Sequence, residues 1–225
     1  MKKQLILITI LMLVVCLLSA DAIAMLSANK GKVTLERDKS QMKFKKGQLL
    51  MNNDVIRTGE ESFAAYKYVD ASSSVKMFSN SVATISATKD GKGLSKKVTV
   101  SKGSILSTVK KGSGVFQVST PSTVASVKGT EFLTKVEDDG SSMFIVNDGE
   151  VELRMSSTGE VTNVGKGKTA RVHSSGRVEV RDSRPEDLSP AERQEIEAGD
   201  NNDTNTIRIP VLDENGNLKQ IEITF

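Results

Sequence analysis

The strongest constraint in this chain is a period-two alternation of apolar and polar residues in short runs, found through most of the sequence before residue 186. Successive side chains of a β-strand point to opposite faces, so such runs indicate strands with one buried face. Clusters of Gly, Asn, Asp and Ser separate the runs, for example at 138–140, 147–149 and 174–176, and these residues favour tight turns. About a dozen short strands at this spacing predict an all-β domain.

The inward positions of these runs suggest how the strands are arranged. They are mostly Val, Ile, Leu, Ala and Ser, and aromatic residues make up only 4% of the chain. Small inward residues favour a thin stack of strands, so we predict a β-solenoid-like roll. A β-sandwich is the alternative, because the turns are irregularly spaced and the chain shows no strict repeat.

The N-terminus has the pattern of an export signal. A basic start, Met1–Lys3, precedes an apolar run over Leu5–Ala20, and small residues follow at Ala22 and Ala24. This pattern predicts a secretory signal peptide over 1–24, and an exported, periplasmic protein that could also be secreted or surface-associated. An uncleaved anchor and a lipoprotein acylated at Cys16 are the alternatives. Cys16 is the only cysteine, so the mature chain has no disulfide or thiolate chemistry.

The C-terminal part differs from the rest. The all-β domain is predicted over 25–182, and a linker with a short helix over 183–203. Ser189 and Glu192 form a capping box around Pro190, which predicts a helix from Pro190 to Ala198 that stops at Gly199. A β-hairpin is predicted over 204–225, turning at Asn215-Gly216.

The residue inventory argues against catalysis. His173 is the only histidine, and without a second histidine or a mature cysteine neither a metal set nor a nucleophile–base pair can be completed. We therefore expect no enzyme activity, no catalytic or metal site and no cofactor.

The charge is unevenly distributed. Residues 25–128 contain 18 Lys and Arg against 7 Asp and Glu, whereas residues 129–225 contain 11 against 20, giving net charges of +11 and −9. The halves could neutralise each other within one fold, or the basic half could bind an anionic envelope polymer. Nucleic acid is not an expected partner, because the chain lacks Trp and has few aromatic residues for base stacking.

One segment resembles a known family. Phe116–Pro121 followed by Ala125–Phe132 is similar to the FecR signature, a "V-x-T-P" step followed by "A-x-V-R-G-T-x-F". Further family-like steps lie at 47–59, 148–151 and 164–169, so the resemblance spans about 30–180. Lys128 replaces the usual Arg, and Asn53 replaces the Gly before Asp54. The candidate motif residues, which we interpret as structural, are Thr120, Pro121, Val127, Lys128, Gly129, Thr130, Phe132 and Gly149.

The resemblance implies an extracytoplasmic, non-catalytic, solenoid-like β domain. Members of the family receive signals from envelope proteins at the periplasmic end of a membrane-spanning regulator. Here only Met1–Gln4 precede the apolar run, so the expectation is a stand-alone exported FecR-like domain. Its expected function is protein interaction or sensing in the bacterial envelope, with an unknown envelope protein or an anionic polymer as partner and no membrane span after signal cleavage.

Overall fold

The structure, a computed structural model, describes residues 22–90, 93–197, 206–212 and 218–224, the last two stretches as backbone only. The chain divides into two compact units after Asp187. The first 21 residues of the predicted signal peptide lie outside the described residues, so that prediction is untested. No helix in the described ranges is long and apolar enough to span a membrane.

The first unit is built from strands, which confirms the all-β prediction. Its described strands are β1 (Ala24–Lys30), β2 (Val33–Arg37), β3 (Ser40–Lys43), β4 (Leu49–Leu50), β5 (Val55–Thr58), β6 (Phe63–Tyr68), β7 (Ser73–Met77), β8 (Val82–Asp90), β9 (Gly93–Val109), β10 (Phe116–Ser119), β11 (Thr123–Val127), β12 (Glu131–Val136), β13 (Ser142–Asp148), β14 (Glu150–Met155), β15 (Val161–Gly165), β16 (Lys168–Val172) and β17 (Val178–Asp182).

These strands form two hydrogen-bonded ladders that share β9. The first ladder runs β4–β1–β6–β7–β9–β12–β13–β16–β17. The second runs β3–β2–β5–β8–β9–β10–β11–β14–β15. Strand β9 passes from the second ladder to the first at Gly103, which has a φ of +87°.

The solenoid-like roll is not confirmed, because the sheet is large and open. In a solenoid, successive coils stack their strands in parallel, whereas here β9–β10 is the single parallel pair among the described strands. The chain instead adds antiparallel hairpins alternately to the two ladders. The small inward residues are therefore consistent with two ladders that share one core, and they do not require a solenoid coil.

The buried faces of both ladders contribute to one hydrophobic cluster. Strand β14 shows the alternation, since Val151, Leu153 and Met155 are buried and the three alternate residues of the strand are exposed. Tyr66 of the first ladder and Ile56 of the second belong to the same cluster. Truncating one of the larger side chains would cost about 3–5 kcal/mol, because the close-packed surroundings collapse only in part.

The second unit contains the predicted helix and hairpin. Helix α1 covers Pro190–Glu197, and the capping box is confirmed: the Ser189 amide donates to Glu192 Oε2 at 2.7 Å, and the Glu192 amide donates to Ser189 Oγ at 3.3 Å. Strands β18 (Thr206–Leu212) and β19 (Leu218–Thr224) form the hairpin. The predicted stop at Gly199 and the turn at 215–216 lie outside the described residues.

Candidate interaction groove

The candidate motif begins at the turn between β10 and β11. Thr120 is buried, its Oγ1 accepts a hydrogen bond from the Thr123 amide at 3.1 Å, and Ser142 Oγ donates to it at 2.8 Å. Ser122 and Ser142 also share a hydrogen bond of 2.9 Å. This hydroxyl network holds the turn against β13, while Pro121 stays exposed at its tip.

The next motif residues carry the chain from the second ladder to the first. Val127, the last residue of β11, is 4% exposed, and Phe132 of β12 is fully buried in the same cluster. Lys128 between them is exposed. Val127 and Phe132 therefore anchor the crossing at both ends, and Gly129 and Thr130 make the bend.

Gly129 sits at a point where the backbone of a neighbouring segment comes very close. Its φ is +84°, and a Cβ at this position would collide with the side chain of Lys111 and lie 2.9 Å from the Lys111 Cα. Gly149, with a φ of +82°, packs directly on the same bend, because its Cβ would lie 2.7 Å from the Gly129 carbonyl oxygen. Thr130 completes the junction by donating its hydroxyl to the Glu150 carbonyl at 2.9 Å.

A shallow surface groove of about 450 Å³ runs over this junction. We call it the motif groove, and it is lined by Lys111, Val115, Ser126, Val127, Lys128, Gly129, Gly149, Glu150, Glu152 and Asn163. Two lysines and two glutamates therefore face the same space. The register places Ser126, Glu152 and Asn163 in one row across β11, β14 and β15.

A smaller depression of about 230 Å³ lies next to the motif groove and shares Lys111 and Gly129 with it. Glu131 and Asp148 add two carboxylates there. The hydrogen bond from Lys166, helped by its charge, lowers the pKa of Asp148. The junction around Gly129 thus carries both signs of charge on an open surface.

The groups at this surface do not form a recognisable catalytic arrangement. Within the described ranges, no set of three His, Cys, Asp or Glu could hold a metal ion. His173 does not line the motif groove; its Nε2 lies 3.3 Å from Glu179 and 3.2 Å from Arg177. The absence of catalysis stays a prediction, and the geometry itself suits polar contacts with another molecule.

The upstream family-like step has a structural role. Asn53 adopts a φ of +67°, a conformation that Asn tolerates better than most residues, at the position where the family pattern has Gly. Asp54 is fully buried; Arg37 donates to both its oxygens at 2.8 and 2.7 Å, and the Met51 amide donates at 2.8 Å. Asp54 therefore holds the β4–β5 turn against β2.

Sequence reasoning found the motif but missed part of the groove. Lys111 lies outside the family-like segments of the sequence, and its contact with Gly129 is visible only once β9 and β12 are paired. Glu150 and Glu152 alternate with buried residues on β14, so both are exposed on one face of that strand. Nothing local in the sequence relates that face to Lys128.

Comparison with known proteins agrees with the motif. Residues 54–152 match the family model for the FecR protein. Two crystal structures of a candidate anti-sigma factor from Parabacteroides distasonis are similar to the chain, with TM-scores of 0.49 and 0.48 and 18% identity. Each match covers 57% of this chain and 59% of the solved chain. No curated protein matches the chain.

Proposed function

Because residues 54–152 match the FecR family model, we propose that this chain is a non-catalytic, exported protein that acts as a protein-interaction or sensing module in the bacterial envelope. Export rests on the N-terminal signal pattern, and the absence of catalysis rests on the residue inventory. The partner we expect is an envelope protein, since the module's exposed junction offers polar contacts rather than a closed pocket.

The observation that carries this proposal is the motif groove beside a free strand edge. Lys111 and Lys128 face Glu150 and Glu152 across an open surface. Strand β15, which contributes Asn163 to the groove, pairs with β14 alone among the described strands. A free edge offers backbone N–H and C=O groups to an added strand, and neighbouring charges of both signs would fix its register.

Affinity capture with charge-reversed variants tests the proposal. The full chain serves as bait for envelope extract, with washes in about 0.1 M and about 1 M salt, because exposed charge pairs are screened over this range. Lys128→Glu and Glu152→Lys each reverse one charge of the motif groove. Glu160→Lys is the matched control, since Glu160 is exposed in the β14–β15 turn outside the groove.

The expected result is one protein that the native chain and Glu160→Lys retain at high salt and that the groove variants lose. The variants should unfold at the native temperature, because both altered side chains are exposed. Retention that is indifferent to Lys128→Glu and to Glu152→Lys would exclude the groove as the contact. If no protein is retained, the interaction function itself is wrong.

A second candidate is binding of an anionic envelope polymer through the basic N-terminal half. One observation favours it: four lysines between residues 39 and 46 are exposed, and no described carboxylate pairs with them. Binding to isolated cell wall that weakens steeply with salt would support this candidate, and the absence of such binding would eliminate it.

A further inference from the structure

One edge of the two-ladder fold carries an unusual combination of exposed side chains. Strand β3 is the terminal strand of the second ladder, β4 is the terminal strand of the first, and residues 44–48 connect them. Both ladders therefore end on the same stretch of chain, 38–50, packed against the start of β1. This edge is remote in the strand order from the motif groove, which involves β11, β14 and β15.

Two apolar side chains lie exposed together at this edge. Met25 of β1 and Leu49 of β4 are register partners, so they share one face with their Cβ atoms about 5 Å apart. Met25 is 46% exposed and Leu49 is 49% exposed. Met42 of β3, on the same 38–50 stretch, is a further exposed methionine.

Lysines border this apolar pair. Lys45 and Lys46 precede Gly47, whose amide donates to the Leu26 carbonyl at 2.9 Å, and the Leu26 amide donates to the Gln48 carbonyl at 3.0 Å. These bonds hold the lysine-bearing turn beside Met25. The turn is tightened by a bond from the Gln48 amide to the Lys45 carbonyl at 3.0 Å.

Two more lysines extend the positive charge. Lys39 lies in the β2–β3 turn and Lys43 at the end of β3, and both are exposed. The described part of the chain supplies no carboxylate partner to Lys39, Lys43, Lys45 or Lys46. Asp38 is the one acidic residue in the 38–50 stretch.

We propose that this edge, comprising Met25, Leu49, Lys45 and Lys46 with Lys39 and Lys43 at its flank, docks on the surface of an anionic phospholipid bilayer. Lysine ammonium groups are attracted to the lipid phosphates, and exposed apolar side chains enter the boundary between headgroups and acyl chains. The long lysine stems can lie along the apolar pair while their charged ends reach outward.

Other occupants explain fewer of these side chains. Lysines on an edge strand are enough by themselves to prevent edge-to-edge pairing. Binding of an anionic polymer likewise requires only the charge of the lysines. Neither explains why Met25 and Leu49 are held in water next to them. A lipid surface uses both the charge and the apolar pair.

The position of this edge in the chain agrees with a bilayer as the occupant. Ala22 is the first described residue, and the apolar run Leu5–Ala20 precedes it. Four residues lie between Ala20 and Met25, so the two are five residue steps apart, at most roughly 17 Å when extended. The lysine-bordered edge thus begins a few residues after that apolar run in the chain.

A single-tryptophan probe tests the proposal in the full chain, which has no Trp of its own. Leu49→Trp places the probe in the apolar pair. Val161→Trp is the control, because Val161 is 43% exposed but lies on β15, at the opposite end of the second ladder. A retained N-terminal run would insert into either lipid, so the comparison of phosphatidylglycerol with phosphatidylcholine distinguishes it from docking through the lysines.

The expected result is a blue shift of the Leu49→Trp emission on adding phosphatidylglycerol vesicles, with quenching by brominated lipid. Phosphatidylcholine vesicles should leave the emission unchanged, as should Val161→Trp in either lipid. Adding Lys45→Gln and Lys46→Gln should weaken the apparent affinity about 25-fold, at about fivefold for each lysine. Arg at both positions should restore the affinity.

Three results would overturn the proposal. They are no shift with phosphatidylglycerol, an equal shift with phosphatidylcholine, or an equal shift from Val161→Trp. A separate measurement adds soluble polyphosphate in place of vesicles. If it shifts the Leu49→Trp emission as strongly as vesicles do, the edge is a general polyanion site and the lipid assignment is wrong.

Discussion

Replacing Gly129 with Ala should destabilise the domain through two separable effects. The first is conformational, because a φ of +84° is one that residues with a Cβ rarely adopt. The second is steric, because the new Cβ would meet both the side chain and the Cα of Lys111. The Cα cannot turn aside as a side chain can, so the backbone after β9 has to shift.

Both effects lower the free energy of unfolding of the Gly129→Ala variant. The left-handed conformation costs about 1–2 kcal/mol, and an inserted methyl group that forces a backbone shift costs about 1–3 kcal/mol. Together they lower the free energy of unfolding by about 2–5 kcal/mol. For a domain of this size each kcal/mol lowers Tm by about 2–4 °C, so the melting temperature should fall by about 4–20 °C.

Gly112→Ala separates the two effects. Gly112 has a φ of +79°, but no atom lies within 4 Å of the position of its Cβ, so it pays only the conformational cost of about 1–2 kcal/mol. Thermal unfolding followed by circular dichroism measures both variants together with Gly129→Val. If Gly129→Ala melts no lower than Gly112→Ala, the close approach of Lys111 is not real. An unchanged Tm for Gly129→Val would refute the bend as well.

Two further predictions concern buried carboxylates. Asp54→Asn should lower the free energy of unfolding by about 2–3 kcal/mol, because it breaks the paired bonds from Arg37. The control, Arg57→Gln, removes an exposed ion pair and should lower the free energy of unfolding by under about 1 kcal/mol. Equal urea midpoints for the two variants would contradict the role assigned to Asp54. Hydrogen bonds from Arg181 lower the pKa of Asp187, so its stabilisation is complete above the unfolded value near pH 3.9 and is lost as pH falls below it. Asp187→Asn should therefore lose less stability than the native chain between about pH 5 and pH 3, and parallel pH profiles would disprove the role of this carboxylate.

The local part of the fold could be predicted from the sequence. Alternation placed β6 and β11 correctly, and the capping box placed α1 to within one residue, since each of these signals lies within a few neighbouring residues. Local sequence signals fail where one residue type is compatible with two backbone structures. Glycine marks a turn between strands at 138–140, for example, whereas Gly103 is a bend inside the continuous β9. The exposed pair Met25 and Leu49 could not be foreseen either, because it depends on β4 pairing with β1 across more than 20 residues.

The motif groove, too, could be predicted from the sequence only in its local part. The family-like motif marks Gly129 as special, and its bend is indeed built from residues within the motif. Which segment approaches that bend is a long-range matter, since Lys111 lies outside the family-like segments and Gly149 belongs to a separate one at 148–151. The glutamates of β14 join the lysines only through the β11–β14 pairing.

Strand β9 gives the fold an order of assembly. Among the described strands of the first unit, β1 to β8 pair only with one another or with β9, and β10 to β17 do the same on its other side. A chain that emerges N-terminus first can thus close its first half once Val109 has emerged. That half then presents β9 as a ready template on which β10 and β12 add. Until they do, the whole length of β9 is an open edge, so the interval between the emergence of residues 109 and 136 is the period in which this protein is most exposed to misassembly.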